Sequence, residues 1–305
     1  MRWEGFIKIV EHKILSSNIK QILYSLFSSI HCSTWICFIK EEIFLVEIMS
    51  EGTHLNASGN CQNGFNSNGN LFKIFIGYDS QEDVAYEVCR YSILKRTSIP
   101  IEIFPIKQCE LREKGIYWRE RGKLESTEFS FSRFLTPYLA NYNGWAMFVD
   151  CDFLYLGDIK ELFDMIDEKY AIMCVHHDYT PKEATKMDGA IQTVYPRKNW
   201  SSMVLYNCGH PKNRVLTPEV VNKETGAFLH RFQWLEDKEI GEIPFIWNFL
   251  VGHNAFVVSD PVTYPKAIHY TLGGPWFEQW KDCEFADLWL NELEEYKKSV
   301  EKKVK

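Results

Sequence analysis

The sequence predicts an α/β fold: one domain over residues 71–296, built on a mostly parallel, Rossmann-like sheet flanked by helices. Three observations point there. Leu71–Gly77 and Ile101–Ile106 are apolar runs of strand length separated by a helical pattern. Strand, helix and strand at that spacing form a βαβ unit and hence a parallel pair. Three further apolar runs, 145–149, 171–175 and 203–206, read as buried strands. Finally, 305 residues with 46% hydrophobic and 15% aromatic content can fill a sizeable core.

Upstream of that domain lie two segments of different character. Residues 1–49 are an Ile- and Phe-rich leader in which Gln21–Ile39 is a run of 19 uncharged residues preceded by Lys8, Lys13 and Lys20. This fits a signal anchor with its amino end inside. Ser25, Ser28, Ser29, His31, Ser33 and Thr34 make insertion marginal, so an amphipathic leader or a non-native extension ahead of Met49 fits as well. Residues 50–70 are a Gly/Asn/Ser linker without periodicity. Its Asn56-Ala-Ser sequon matters only on the secretory route.

Within the domain, the first strand stops at Tyr78-Asp79-Ser80. Val84, Val88, Tyr91 and Leu94 then recur at helical spacing, with Asp79 and Ser80 placed to cap the helix. Residues 128–140, EFSFSRFLTPYLA, read as a short aromatic helix carrying Arg133, either an ion pair at the sheet edge or a phosphate or carboxylate clamp. Asp158 caps the next helix. The strand at 171–175 ends in His176-His177-Asp178, and that at 203–206 ends in Asn207-Cys208-Gly209. Asn207 could meet a sugar hydroxyl or simply occupy a turn. The tail 297–305 is a charged, solvated helix end.

The chemistry concentrates at two strand ends. The buried run 145–149 terminates in Asp150-Cys151-Asp152, whose carboxylates alternate onto one side of the chain. Two hard carboxylates at the carboxyl edge of a sheet are half of a divalent-cation site, and burying them without a cation would be costly. The run 267–269 ends in His269, and Gly273-Gly274 follow before Pro275-Trp276. His269 would supply a nitrogen ligand suited to Mn²⁺, and the glycine pair would let backbone approach phosphate oxygens.

Net charge is −7, with 34 basic and 41 acidic residues and no basic face, which argues against nucleic-acid binding. Nine cysteines, an odd number without a Cys-x-x-Cys pair, argue against a disulfide framework or a structural zinc. Unpaired thiols favour the cytoplasm, with a Golgi type II membrane protein as the alternative if 21–39 is an anchor.

In order, FIGYDS, SRFLTPYL, FVDCDFLYLGDIKEL, YNCG and HYTLGGPW resemble the family 8 glycosyltransferases and related nucleotide-diphospho-sugar transferases of the GT-A fold. The resemblance covers roughly residues 71–280 and looks like a divergent branch. It implies a Mn²⁺- or Mg²⁺-dependent transferase that uses a UDP-linked sugar with retention, passing it to a glycan, lipid or protein acceptor. Carried over residue by residue, it implies Asp150, Asp152 and His269 as metal ligands and Tyr78 and Asp79 as nucleotide contacts. It further implies Asn207 and Gly209 on the donor-sugar side, and Arg133 matches the arginine of the helix before the metal strand. The family's usual lysine before Pro-Trp is replaced by Gly274, a loss that Lys266 or Lys281 could compensate. Asp178, Asp188 and His177 are acceptor-side or acid–base candidates. Glu236, Asp237 or Trp247-Asn248 stand where the family carries its Asp-Gln pair. Three rivals stay open. A sugar nucleotidyltransferase would release diphosphate from a nucleoside triphosphate, a catalytically dead nucleotide-sugar or glycan binder would show no turnover, and a hydrolase would transfer to water.

Overall fold

The computed structural model describes residues 71–122, 125–178 and 197–304. The leader and linker expected over 1–70, the apolar run 21–39 and Asp188 lie outside the described residues.

The central sheet has the order β2-β1-β3-β6-β5-β7. Its strands are β1 (Phe72–Gly77), β2 (Ile101–Ile106), β3 (Trp145–Val149), β5 (Ile172–Cys174), β6 (Met203–Asn207) and β7 (Ile240–Glu242). β2, β1 and β3 pair in parallel, as do β5 and β7, whereas β6 runs antiparallel to both of its neighbours. Every strand except β6 therefore points the same way, as expected for a mostly parallel α/β sheet. β3, β5 and β6 are buried along their whole length, which explains why they read as unbroken apolar runs and not as alternating ones. A second sheet, β4-β9-β8, is formed by β4 (Phe153–Tyr155), β8 (Phe249–Leu250) and β9 (Ala267–His269). Because only Asp150, Cys151 and Asp152 separate β3 from β4, these three residues join one sheet to the other.

Helix α1 (Asp83–Arg96) crosses from β1 to β2, as the βαβ reading requires. The face assigned to it is corrected. Val88 is buried, but Val84 and Tyr91 are only half-buried and Leu94 is 41% exposed. The buried positions are Ala85, Tyr86, Val88, Cys89, Ser92 and Ile93. The reason is that α1 is covered on more than one side, by β1, β4 and α2 (Ala286–Val304). A helix buried on opposite flanks shows no single stripe. The helix expected over 128–140 is also corrected. It resolves into a 3₁₀ turn, Ser132–Leu135, followed by one α-turn, Thr136–Leu139. Asp158 caps Ile159–Phe163 as expected, accepting from the Lys160 N–H. The positions of the charged tail up to residue 304 continue α2, so the boundary at 296 falls inside one helix.

α2 is clamped to α1 by Arg96, whose two terminal nitrogens each lie 2.7 Å from a Glu292 oxygen. Glu292 is buried and also receives Lys95. Glu292→Ala strands Arg96 beside an apolar seam, while Lys95 keeps Glu295, and is expected to cost about 2 kcal/mol, less than a fully buried pair because Arg96 retains some solvent contact. Thermal denaturation checks this. Among the described residues, no helix is long and apolar enough to cross a membrane, and all six described cysteines are free thiols.

Candidate active site

The parallel strands deliver their carboxyl ends to one edge. In register, Ile76 of β1 lies beside Val149 of β3, so Tyr78-Asp79 and Asp150-Asp152 leave the sheet together. Gly77 pairs with Ile106, bringing Lys107 to the same edge. Because β6 is reversed, its beginning arrives here: Met203 pairs with Val149, and the Asp150 N–H donates to Ser202 O at 2.9 Å. From the second sheet, His269 is paired with Phe153, immediately after Asp152. The Tyr270 N–H donates to Asp152 O at 3.0 Å, and the Phe153 ring stacks on the His269 imidazole at 4.3 Å.

One ligand atom from each of Asp150, Asp152 and His269 lies within 4.8 Å of the others. The expected triad is therefore assembled. Asp152 Oδ2 is 3.3 Å from His269 Nε2. Asp150 Oδ1 accepts from Arg133 Nη1 at 2.7 Å, and the same nitrogen donates to Ser201 O at 3.0 Å. The Arg133 guanidinium is wedged between the Phe129 and Phe148 rings, 5.1 Å from each centroid. Arg133 thus pairs with the Asp150 carboxylate, the ion-pair alternative of the readings offered for it. Burial pushes the Asp150 carboxyl up to about 6 in spite of Arg133, and Asp152 adds to the rise. Hard oxygen donors and one imidazole at this spacing fit Mn²⁺ or Mg²⁺, and a desolvated carboxylate pair is stabilised by such an ion.

Glu82 was not anticipated. Three residues after Asp79 it has the sequence signature of a capping glutamate, yet its side chain caps nothing. It is 2% exposed and accepts from the Cys151 thiol at 3.4 Å. Burial, then the charge of Asp152, pushes its carboxyl up to about 8. Between pH 4.5, the ordinary value, and about 8 the folded protein holds a proton that the unfolded chain has released, so metal-free stability falls as pH rises across that window. Glu82→Gln is expected to remove this slope and to make the metal-free protein more stable above pH ~8, by on the order of a few kcal/mol. Denaturant unfolding at pH 5 and pH 8.5 measures it.

The remaining expected residues divide. Tyr78 and Asp79 stand at the correct edge. The Tyr78 hydroxyl donates to Asp83 Oδ1 at 2.7 Å, and Lys107 Nζ lies 4.7 Å over its ring. Asp79 accepts from the Gln81 N–H and, through its other oxygen, from the Glu128 N–H, both at 2.9 Å. Those bonds account for its burial as a cap. Gly273 has φ 119° and its N–H donates to Tyr270 O at 2.8 Å, closing a turn. At Gly274 a Cβ would come within 2.1 Å of the Trp276 ring, so ring packing demands that glycine. The expectation of Gly273 as a phosphate donor is corrected, since its N–H is already engaged.

Asn207 and Gly209 are corrected outright. Asn207 pairs with Trp145, the first residue of β3, and donates to Glu168 Oε2 at 3.3 Å. The four steps along the strand from Met203 to Asn207 place it about 13 Å from the carboxyl edge where Asp150 and Asp152 lie. Ser201 and Ser202, in the turn that leads into β6, stand at the edge where Asn207 was expected. Asp237 is also corrected. Its side chain is 91% exposed and paired with Arg197, and it opens the turn before the edge strand β7. Glu236 pairs with Lys238. Lys266 and Lys281 are engaged by Glu161 and Glu278. Asp178 is exposed just beyond β5, near the active edge, and Asp188 lies outside the described residues. Burial, with the neighbouring His269 ring adding to it, pushes the His177 imidazole down to about 3. It stays neutral at ordinary pH and is corrected as an acid–base group.

This sheet order, with one reversed strand and a carboxylate pair at the carboxyl edge, is the GT-A fold of the nucleotide-sugar glycosyltransferases. The WbbM bifunctional glycosyltransferase superposes with a TM-score of 0.52 at 14% identity, over 96% of this chain and 64% of that one. This chain therefore spans less than two thirds of that enzyme. The apo crystal structure of the glycosyltransferase GlyE of Streptococcus pneumoniae TIGR4 gives a TM-score of 0.49 at 15% identity, over 77% of this chain and 64% of GlyE. No family model matches the sequence. The chain belongs to the family of Protein CDI of Arabidopsis thaliana, to which it is 74% identical over 245 residues, 80% of this chain and 94% of that protein.

Proposed function

We propose that this chain is a metal-dependent glycosyltransferase, resembling family 8, that moves a sugar from a UDP-linked donor to an acceptor hydroxyl with retention. The observation that carries the reading is the convergence of Asp150, Asp152 and His269 at the carboxyl edge of a GT-A sheet, beside Tyr78. Ligands of open α/β sheets bind at that edge. Asp150, Asp152 and His269 would hold Mn²⁺ or Mg²⁺, which when bound neutralises charge on the departing diphosphate. The chain's own residues do the rest. Arg133 takes Asp150 Oδ1 and leaves Oδ2 as the carboxylate oxygen for the site. Tyr78, tethered by Asp83, and Lys107 above it form an aromatic and cationic corner for the nucleotide. Neutral His177 offers the acceptor side a hydrogen-bonding group and not a base. The free thiols among the described residues favour a reducing compartment.

Incubating the full chain with Mn²⁺ and a panel of UDP-, GDP- and ADP-sugars tests this. Release of UDP from one donor is the expected result. Diphosphate release from a nucleoside triphosphate and a sugar phosphate would assign a nucleotidyltransferase instead. UDP binding without turnover of any donor would leave a nucleotide-sugar binder.

A further inference from the structure

Behind His269 lies a hydrogen-bond relay that the proposed reaction does not by itself require. The Ser202 hydroxyl is 2.7 Å from Asn199 O, a carbonyl that can only accept, so the hydroxyl proton points there. Ser202 Oγ must then receive its other partner, Asn248, as an acceptor. The Asn248 atom 2.9 Å away is accordingly the amide nitrogen. That orientation turns Asn248 Oδ1 towards His269 Nδ1 at 2.8 Å, so Nδ1 carries the ring proton. Nε2, on the other side of the ring, faces Asp152 Oδ2 at 3.3 Å. The relay is deeply placed: Asn248 is 0% exposed and His269 2%. Its origin is a backbone device, since Asn199 sits at φ 64°, a left-handed conformation that asparagine tolerates. The same turn introduces β6, the reversed strand.

We propose that Asn248, locked by Ser202, is a positioning residue that fixes His269 in the Nδ1–H tautomer and so presents Nε2 to the cation. The inference rests on the metal reading above for its purpose, but the tautomer is a property of the metal-free protein. An imidazole ligand whose second nitrogen is held by a neighbour gains affinity through orientation, and loss of such a neighbour typically costs about 10–100-fold.

The test uses ¹⁵N-histidine-labelled full chain, its His269 ring signals read by long-range ¹H–¹⁵N correlation and assigned by loss in His269→Gln. Mn²⁺ alone is titrated in parallel. Wild type is expected to show a single Nδ1–H tautomer. Asn248→Leu is expected to mix the tautomers and weaken Mn²⁺ by about 10–100-fold. Asn248→Asp, which still accepts from Nδ1, is expected to keep both the tautomer and the affinity within about threefold. Ser202→Ala frees the amide to flip and gives a milder version that keeps the test open should the leucine variant fail to fold. An Nε2–H tautomer in wild type, or an unchanged tautomer and Mn²⁺ affinity in the folded Asn248→Leu and Ser202→Ala proteins, would overturn the proposal. Failure of wild type to bind Mn²⁺ while keeping the Nδ1–H tautomer would instead count against the metal reading alone.

Discussion

Asp152→Asn is expected to lower Mn²⁺ affinity by at least ~100-fold, since losing a ligand should exceed the ~10–100-fold cost of losing a neighbour of a ligand. The substitution keeps one side-chain oxygen and nearly the same shape but removes the charge that a hard cation requires. The backbone tie from Tyr270 to Asp152 O does not involve the side chain, so the fold should persist. Melting of the metal-free variant is accordingly expected within a few degrees of wild type, or above it, because a desolvated charge beside Asp150 and Glu82 is gone. Mn²⁺ paramagnetic-resonance titration checks affinity, and calorimetric melting checks the fold. Unchanged Mn²⁺ binding would place the ion away from Asp150, Asp152 and His269.

The second large effect concerns stability. Arg133→Met is expected to destabilise the metal-free protein by about 3–5 kcal/mol, because it leaves the Asp150 charge buried and unpaired. In a domain of this size that lowers the melting temperature by roughly 10 °C. Methionine retains much of the packing between Phe129 and Phe148, so the loss reports charge and not a cavity. Two rescues follow. Adding Asp150→Asn to Arg133→Met removes the orphaned charge and should restore most of the stability without restoring metal binding. Adding Mn²⁺ to Arg133→Met should restore stability in proportion to ion occupancy. If Asp150→Asn brings no recovery, Arg133 acts mainly by filling space.

What the sequence showed and what it hid separate on physical grounds. Asp150 and Asp152 were legible because they follow a fully apolar strand, where two charged residues stand out. His269 was legible because it ends a second such strand. Strand direction was not legible: MVLYN is apolar whichever way it runs. The functional end of β6 was therefore taken as Asn207, when the reversal puts Ser201 and Ser202 there. The face of α1 was misread for a related reason. Burial on several flanks spreads apolar residues around the helix and leaves Leu94 exposed. Glu82 has the spacing of a capping glutamate and was passed over, and Asn248 was placed only with Trp247 as a stand-in for the family's Asp-Gln pair. Their roles depend on contacts with Cys151 and His269, which lie 69 and 21 residues away in sequence. Short polar side chains of that kind carry no periodicity to betray them.

The central claim, a cation-dependent nucleotide site at the carboxyl edge of the sheet, is tested most directly by calorimetric titration of UDP into the full chain with and without Mn²⁺. The account predicts binding in the presence of Mn²⁺ that weakens strongly when the ion is withheld and is abolished in Asp152→Asn. UDP binding of equal strength in all three conditions, or none in any, would contradict it.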